Sequence, residues 1–326
     1  PLCTGPHSCE RTFLGNAPRN KFLMLKDMGV HMKGGVITEL DSEYCTIRTR
    51  IPAGVVSCDQ LKGIATVAGR YGAESVHLTT RQTIEIPHMN HADLDAIARD
   101  LALNNTPIGS ERDEVVNVIA CPGNERCIFA NIDSISLARS IDARLFGREM
   151  PVKIRISISA CPNACTSPLL NEIGIVGQNR PIRVPGMCTG CGTCVEYCKE
   201  EAITIKRGVS VLDPSRCVEC GTCVRSCPYD LLKSSGEHYL ITVGGRRGRH
   251  PKIGRELIAV KSPESVLLVV EKVVAWVYRR AWSGRLLSDQ MDELQFETFR
   301  DEIRALVPEN DRAEETFGDF SGGSGI

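Results

Sequence analysis

Tyr44 to Ile51 alternates: Cys45, Ile47, Thr49 and Ile51 fall on one face, and Thr46, Arg48 and Arg50 on the other. A period of two predicts a strand with a cationic face. Pro52-Ala53-Gly54 ends it. Ser57-Cys58-Asp59-Gln60 has the form of a capping box, with Ser57 at the N-cap and Gln60 at N3. Behind it Leu61, Ile64, Ala65 and Ala68 recur at spacings of three and four, which predicts the inner face of a helix. Ser75 to Ile86 returns to strand character. Asn90 then caps a second predicted helix, with Leu94, Ile97, Ala98 and Leu101 turned inward.

That strand–helix–strand–helix succession predicts an α+β fold of split, ferredoxin-like form. Val115 to Ile119 is a short apolar strand leading into Cys121, and the helix after it turns Ile132, Ile135 and Ile141 inward. Val152 to Ile158 alternates again, with Val152, Ile154, Ile156 and Ile158 on one side and Lys153, Arg155 and Ser157 on the other. Tyr239 to Val243 is a further strand, and two helices near 263–279 and 289–306 follow, the first with Pro263 in its opening turn. Residues 1–40 carry no clear period and form a lead-in. The stretch Ser321-Gly322-Gly323-Ser324-Gly325 is a flexible tail over 311–326. The chain starts at Pro1 without a methionine, so a few residues are expected to precede it.

At 326 residues the chain can bury a sizeable core. Its net charge of −1 and 5% aromatic content give no footing for nucleic acid. The most apolar run, Val266 to Val277, is broken by Glu271 and Lys272 and is too short to span a membrane. Sixteen cysteines change the picture most. With no signal-peptide pattern at the start and twelve of the sixteen in cluster-type spacings, a reducing cytoplasm is expected rather than disulfides. Cys3, Cys9, Cys45 and Cys58 have no metal spacing.

The twelve fall into two groups. Cys121 and Cys127 are separated by five residues, and Cys161 and Cys165 by three. Four thiolates suit a [4Fe–4S] cluster, in which each iron takes one sulfur from the protein. Between about 183 and 237, Cys188-x-x-Cys191-x-x-Cys194-x-x-x-Cys198 is repeated 29 positions later as Cys217-x-x-Cys220-x-x-Cys223-x-x-x-Cys227-Pro228. This is the two-cluster ferredoxin pattern, in which the fourth cysteine of each run serves the other cluster. One cluster then takes Cys188, Cys191, Cys194 and Cys227, and the other Cys217, Cys220, Cys223 and Cys198. Zinc sites have no need of the repeated four-cysteine run.

The split set resembles the cluster motif of the sirohaem-containing sulfite and nitrite reductases. Arg48-Thr49-Arg50-Ile51-Pro52-Ala53-Gly54, Leu78-Thr79-Thr80-Arg81-Gln82 and the Gly244-Gly245 loop are similar to three further segments of that family, in the family's order. With the inserted repeat, the chain looks like the catalytic subunit of an anaerobic or dissimilatory-type sulfite reductase. The resemblance implies a ferredoxin-like half-domain over 41–110 and a sirohaem/[4Fe–4S] domain over 111–182 and 238–310. Between its two parts lies a two-cluster insertion over 183–237. It implies sirohaem with Cys165 bridging to its iron, and three [4Fe–4S] clusters in all. Sirohaem carries eight carboxylates, for which Arg48, Thr80, Arg81, Gln82, Asn117, Arg246, Arg247 and Arg249 are the candidate donors. A ring of Arg50, Lys153 and Arg155 is the candidate anion site.

The chain departs from the family at Lys153-Ile154-Arg155, where many members have two lysines, and at Val116, where many have an arginine. The implied activity is six-electron reduction of sulfite to sulfide. Nitrite reduction to ammonia, turnover of another small anion, and an electron-transfer subunit with a degenerate anion site are the alternatives. No flavin or nicotinamide site is visible, so a separate electron-donor protein is implied. A single half-unit implies pairing with itself or with a related subunit.

Overall fold

The structure is a computed structural model that describes residues 34–313. Most of the expected lead-in and the expected glycine-rich tail lie outside these residues.

The ferredoxin-like part is a four-stranded sheet in the order β1-β2-β4-β3, antiparallel throughout, from β1 (Val36–Thr38), β2 (Tyr44–Arg48), β3 (His77–Leu78) and β4 (Ile84–Asn90). Helices α1 (Cys58–Arg70) and α2 (Leu94–Leu103) belong to it. The split arrangement is present, with β1, ahead of β2 in the chain, as one edge strand. The capping box forms: Ser57 Oγ accepts from the Gln60 N–H at 3.1 Å, and Gln60 Oε1 accepts from the Ser57 N–H at 2.9 Å. The inner face of α1 is Ile64, Val67 and Ala68. Val67 completes the three-four spacing, so Ala65 is carried off the stripe and Leu61 stays 46% exposed. The strand expected over Ser75–Ile86 is split, because Thr79 to Thr83 close a turn in which the Thr79 N–H donates to the Thr83 carbonyl at 2.9 Å.

The second sheet has the order β11-β10-β7-β6-β5. Its strands are β5 (Ile119–Ala120), β6 (Ile156–Ser159), β7 (Ile173–Arg183), β10 (Leu232–Val243) and β11 (Arg255–Val260). β5, β6 and β7 run parallel, while β10 and β11 are antiparallel to their neighbours. Helix α3 (Ser134–Leu145) makes the crossover from β5 to β6. Ile154, Ile156 and Ile158 are fully buried, as their alternation predicts, in one core with Ile141 of α3 and Val273 and Val277 of α6 (Pro263–Arg280). Trp276 of α6 stacks on Phe299 of α7 (Phe296–Leu306) with ring centroids 4.5 Å apart.

The cysteine repeat is an excursion from the paired ends of β7 and β10, where Arg183 faces Leu232. It holds α4 (Thr193–Glu196), the hairpin β8 (Ile203–Lys206) and β9 (Val209–Leu212), and α5 (Thr222–Ser226). Ala202, Ile203, Leu212 and Leu232 form a small core of its own, together with Cys194 and Cys223. Among the described residues, no helix is long and apolar enough to cross a membrane.

Replacing Ser57 with Ala is expected to lower unfolding stability by about 1 kcal/mol. The check is a fall in the urea midpoint with an unchanged slope.

Candidate functional site

β5 and β6 are parallel, with Ile119 opposite Ser157 and Ala120 opposite Ile158. Cys121 and Cys161, which follow these strands, therefore emerge at the same end of the sheet. The Ala160 N–H donates to Cys121 Sγ at 3.1 Å. Thr166 ties the next turn back along β6, its carbonyl accepting from Ser157 Oγ at 2.9 Å and its hydroxyl donating to the Ile158 carbonyl at 2.9 Å. Ala164 and Ser167 flank this turn with left-handed φ of 52°. Such backbone is costly for residues with a side chain, and here it returns Cys165 toward the middle of β6. Cys121 and Cys161 are buried, Cys127 is half-buried and Cys165 is exposed. Burial pushes the Cys161 thiol up, the Asn163 N–H opposes this, and the nearby Cys127, Cys165 and Cys121 thiols push it up further. The four sulfurs thus share one neighbourhood.

The repeat builds two more. Cys188, Cys191, Cys194 and Cys227 line one small hollow, partly open to solvent. Cys198, Cys217, Cys220 and Cys223 line another. Among the described residues, no three His, Cys, Asp or Glu side chains converge as ligands of one ion would. Thiols spread around a hollow suit a body with several metal atoms, not a single zinc. The repeat is also visible in the backbone. Gly192 and Gly221, each before Thr-Cys, take left-handed φ of 81° and 69° at the starts of α4 and α5. Burial and the neighbouring Cys217, Cys220, Cys198 and Cys194 thiols push Cys223 up to about 12.

Near the Cys165 turn lies a half-buried group of cations. Glu111 accepts from Arg81 at 2.7 Å and Lys153 at 2.8 Å, and it also contacts Arg48. Arg48 pairs with Glu85 as well. Arg155 grips the buried Glu172 with two nitrogens, at 2.8 and 2.5 Å. Arg247 donates to the Thr166 carbonyl, next to Cys165, while its buried Nε has no partner. Burial, then the Arg48 and Arg155 charges, lower the Arg81 guanidinium to about 10. Burial, then Arg81, Arg155 and Arg48, lower the Lys153 ammonium to about 8, although it touches Glu111. Arg155 also lowers Arg247, after burial. The five cations therefore feel one another, against four carboxylates, Glu85, Glu111, Glu172 and Asp113, the last acting on Lys153. The surplus charge and the unpartnered Arg247 Nε suit a multiply anionic ligand, as sirohaem is.

The other candidates are placed differently. Arg50 points to helix α3, where it pairs with the buried Asp142 at 2.5 Å and lies over Phe146. β2 ends at Arg48, and the Arg50 N–H donates to the Pro107 carbonyl, so the alternation that put both arginines on one face is broken between them. Gln82 clamps the backbone of Ala120, donating to its carbonyl at 2.7 Å and accepting from its N–H at 2.9 Å. Buried Asn117 accepts from the Ile51 N–H and donates to the Arg81 carbonyl at 3.0 Å. Thr80 and Arg249 are exposed, and Arg246 turns to Asp289 at 2.9 Å. Val116 is fully buried. Gly245 lets its loop pass close, since a Cβ there would lie 2.4 Å from the Leu169 carbonyl oxygen. The carboxylates Glu85, Glu111 and Glu172 had no signal in the sequence, because each is far along the chain from the cation it serves.

Residues 111–310 match the family described as nitrite and sulphite reductase 4Fe-4S domain. Residues 28–104 match the nitrite/sulfite reductase ferredoxin-like half domain. The chain belongs to the nitrite and sulfite reductase family. A protein of Methanocaldococcus jannaschii, itself uncharacterised, is 34% identical over 87% of this chain and 100% of its own length. The coenzyme F420-dependent sulfite reductase of the same organism is 34% identical over 84% of this chain. The matched part is only 44% of that enzyme. Nitrite reductases match over shorter stretches. A crystal structure of dissimilatory sulfite reductase I superimposes with a TM-score of 0.66, at 17% identity, over 93% of this chain and 86% of that one. Sirohaem and a [4Fe–4S] cluster are the cofactors of this family.

Replacing Gln82 with Ala leaves the buried Ala120 N–H and carbonyl unpaired and is expected to cost about 2 kcal/mol. A urea titration of the reconstituted protein checks it.

Proposed function

We propose that the chain carries out the six-electron reduction of sulfite to sulfide, with electrons delivered through its inserted repeat. The observation that carries this is the surplus of half-buried cations beside the Cys165 turn. Its support among relatives is that two sulfite reductases match over 84% and 64% of the chain, while the nitrite reductases match over 39% to 44%. Cys121, Cys127, Cys161 and Cys165 would hold one [4Fe–4S] cluster, with Cys165 the ligand that would couple it to sirohaem. The two four-cysteine sets of the repeat hold two more. Sirohaem, when bound, supplies the iron at which the anion is reduced.

The chain's own residues do the rest. Arg48, Arg81, Lys153, Arg155 and Arg247 share the carboxylates of the macrocycle and the oxygens of the anion. Arg48 here takes the place that the sequence pattern gave to Arg50. Glu172 takes Nε and Nη2 of Arg155 and so fixes the guanidinium in one orientation, leaving its remaining N–H groups to meet the anion. Oxygen leaves as water, which requires protons. Lys153 is the donor, because its ammonium is lowered toward neutral pH while the guanidinium groups keep theirs. Electrons come from a separate low-potential protein in a reducing cytoplasm, and the half-unit pairs with a second copy or a related subunit.

The test is an optical spectrum taken without oxygen, before and after sulfite. Sirohaem bands that shift with sulfite are expected. Bands that respond to nitrite and ignore sulfite would reassign the substrate. Iron–sulfur absorption alone, persisting after reconstitution with sirohaem, would overturn the reading.

Cys165→Ser is expected to abolish anion reduction while the clusters of the repeat stay reducible, as electron paramagnetic resonance would show. Burial and the neighbouring guanidinium charges hold the Lys153 ammonium down to about 8, and bound carboxylates raise it again, so turnover is expected to fall as pH rises through a value at or above about 8. Lys153→Met should cost about a hundredfold in turnover and remove that limb from the pH–rate profile.

A further inference from the structure

A buried polar seam joins the repeat to the cysteines of the main site. Asn131, 2% exposed, precedes helix α3. Its main-chain N–H donates to the Ala160 carbonyl at 2.8 Å. Ala160 is bonded to Cys161 and donates its own N–H to Cys121 Sγ at 3.1 Å. The Asn131 side chain faces the other way. Its Oδ1 accepts from Arg225 at 3.1 Å, and its Nδ2 lies 3.5 Å from two carbonyl oxygens, that of Gly177 in β7 and that of Cys220. Arg225 donates to that same carbonyl at 2.9 Å.

Next to Cys220, the buried Glu219 pairs with Arg180 of β7 at 2.9 Å and His238 of β10 at 2.7 Å, and its carbonyl accepts from the Asn179 N–H at 2.7 Å. The loop carrying Cys217 and Cys220 is therefore anchored to the body of the protein. At the other set, Cys191 and Tyr229 are exposed.

We propose that Asn131 and Arg225 are the positioning residues of the electron-transfer contact between the Cys198/Cys217/Cys220/Cys223 set and the Cys121/Cys127/Cys161/Cys165 set, the remaining set being the solvent-side inlet. The inference rests on the cluster assignment above. Electronic coupling decays more slowly through bonds and hydrogen bonds than through a gap, and one buried residue here links ligands of both sets. Each event moves one electron: the core in the repeat is oxidised by one charge, the core at the main site is reduced by one, and no atom or proton is transferred. Asn suits the position because it offers both an acceptor to Arg225 and a donor to the Cys220 carbonyl.

The experiment uses the full chain loaded with iron, sulfide and sirohaem. A flash-generated deazaflavin radical reduces the exposed clusters, and the concentration-independent phase of sirohaem reduction is followed optically. Asn131→Asp keeps the acceptor for Arg225 but loses the donor, and Arg225→Ala removes the clamp. Both are expected to slow that phase by about an order of magnitude at full iron content. Arg225→Lys should lie between Arg225→Ala and the unaltered chain. An unchanged rate in Asn131→Asp at full iron content overturns the contact. If Arg225→Ala loses iron, the near-isosteric Asn131→Asp decides. An unaltered chain that shows the main-site cluster signal and none from the repeat overturns the cluster assignment itself, and this contact with it.

Discussion

The parallel pairing of β5 with β6 is the constraint on which the site depends. Parallel strands need a crossover, and α3 supplies it, burying Ile135, Leu137 and Ile141 in the core of the second sheet. Because the two strands run the same way, Cys121 and Cys161 leave the sheet at one end, although some forty residues separate them. Neither strand is long, so side chains share the work of holding that end. Gln82 clamps Ala120, Ser134 donates to the Cys121 carbonyl, and Thr166 folds the Cys165 turn back onto β6.

The second constraint is electrostatic. Five cations in one half-buried neighbourhood repel one another, and burial adds a desolvation cost to each. Glu85, Glu111, Glu172 and Asp113 offset part of this. The compensation is incomplete, and the remaining positive charge is available to an incoming anion. The same crowding singles out Lys153. An ammonium responds to burial and like charge by losing its proton far more readily than a guanidinium does. In the proposed reaction, binding and proton supply would both draw on this one arrangement of charges.

The repeat is attached where β7 and β10 part company, and its small apolar core is largely its own. Two buried polar contacts tie it to the larger body: the Arg180–Glu219–His238 group and the Asn131–Arg225 seam. Both fasten the loop around Cys220. A segment with so few core residues is held by such buried polar links in addition to its apolar contacts.

Much of this was legible in the chain itself. The burial of Ile154, Ile156 and Ile158, the Ser57–Gln60 capping box and the helix opening at Pro263 all rest on local periodicity and appear as expected, although the strand itself begins only at Ile156 and buries Ser157 as well. The spacing within each cysteine run is local too, and each hollow is lined by three cysteines of one run and the fourth of the other. Local pattern failed where a third element intervened. Arg48 and Arg50 share a face only while β2 lasts, and the bond from Arg50 to the Pro107 carbonyl ends it. Gln82 and Asn117 resemble macrocycle donors in sequence, but the segments packed beside them take their amide groups. Periodicity and spacing thus determined which residue types carry the chemistry and on which strands they ride. The tertiary structure alone decided which carboxylate meets which cation, because a charge pairs with whatever the fold brings within a few ångströms, regardless of distance along the chain.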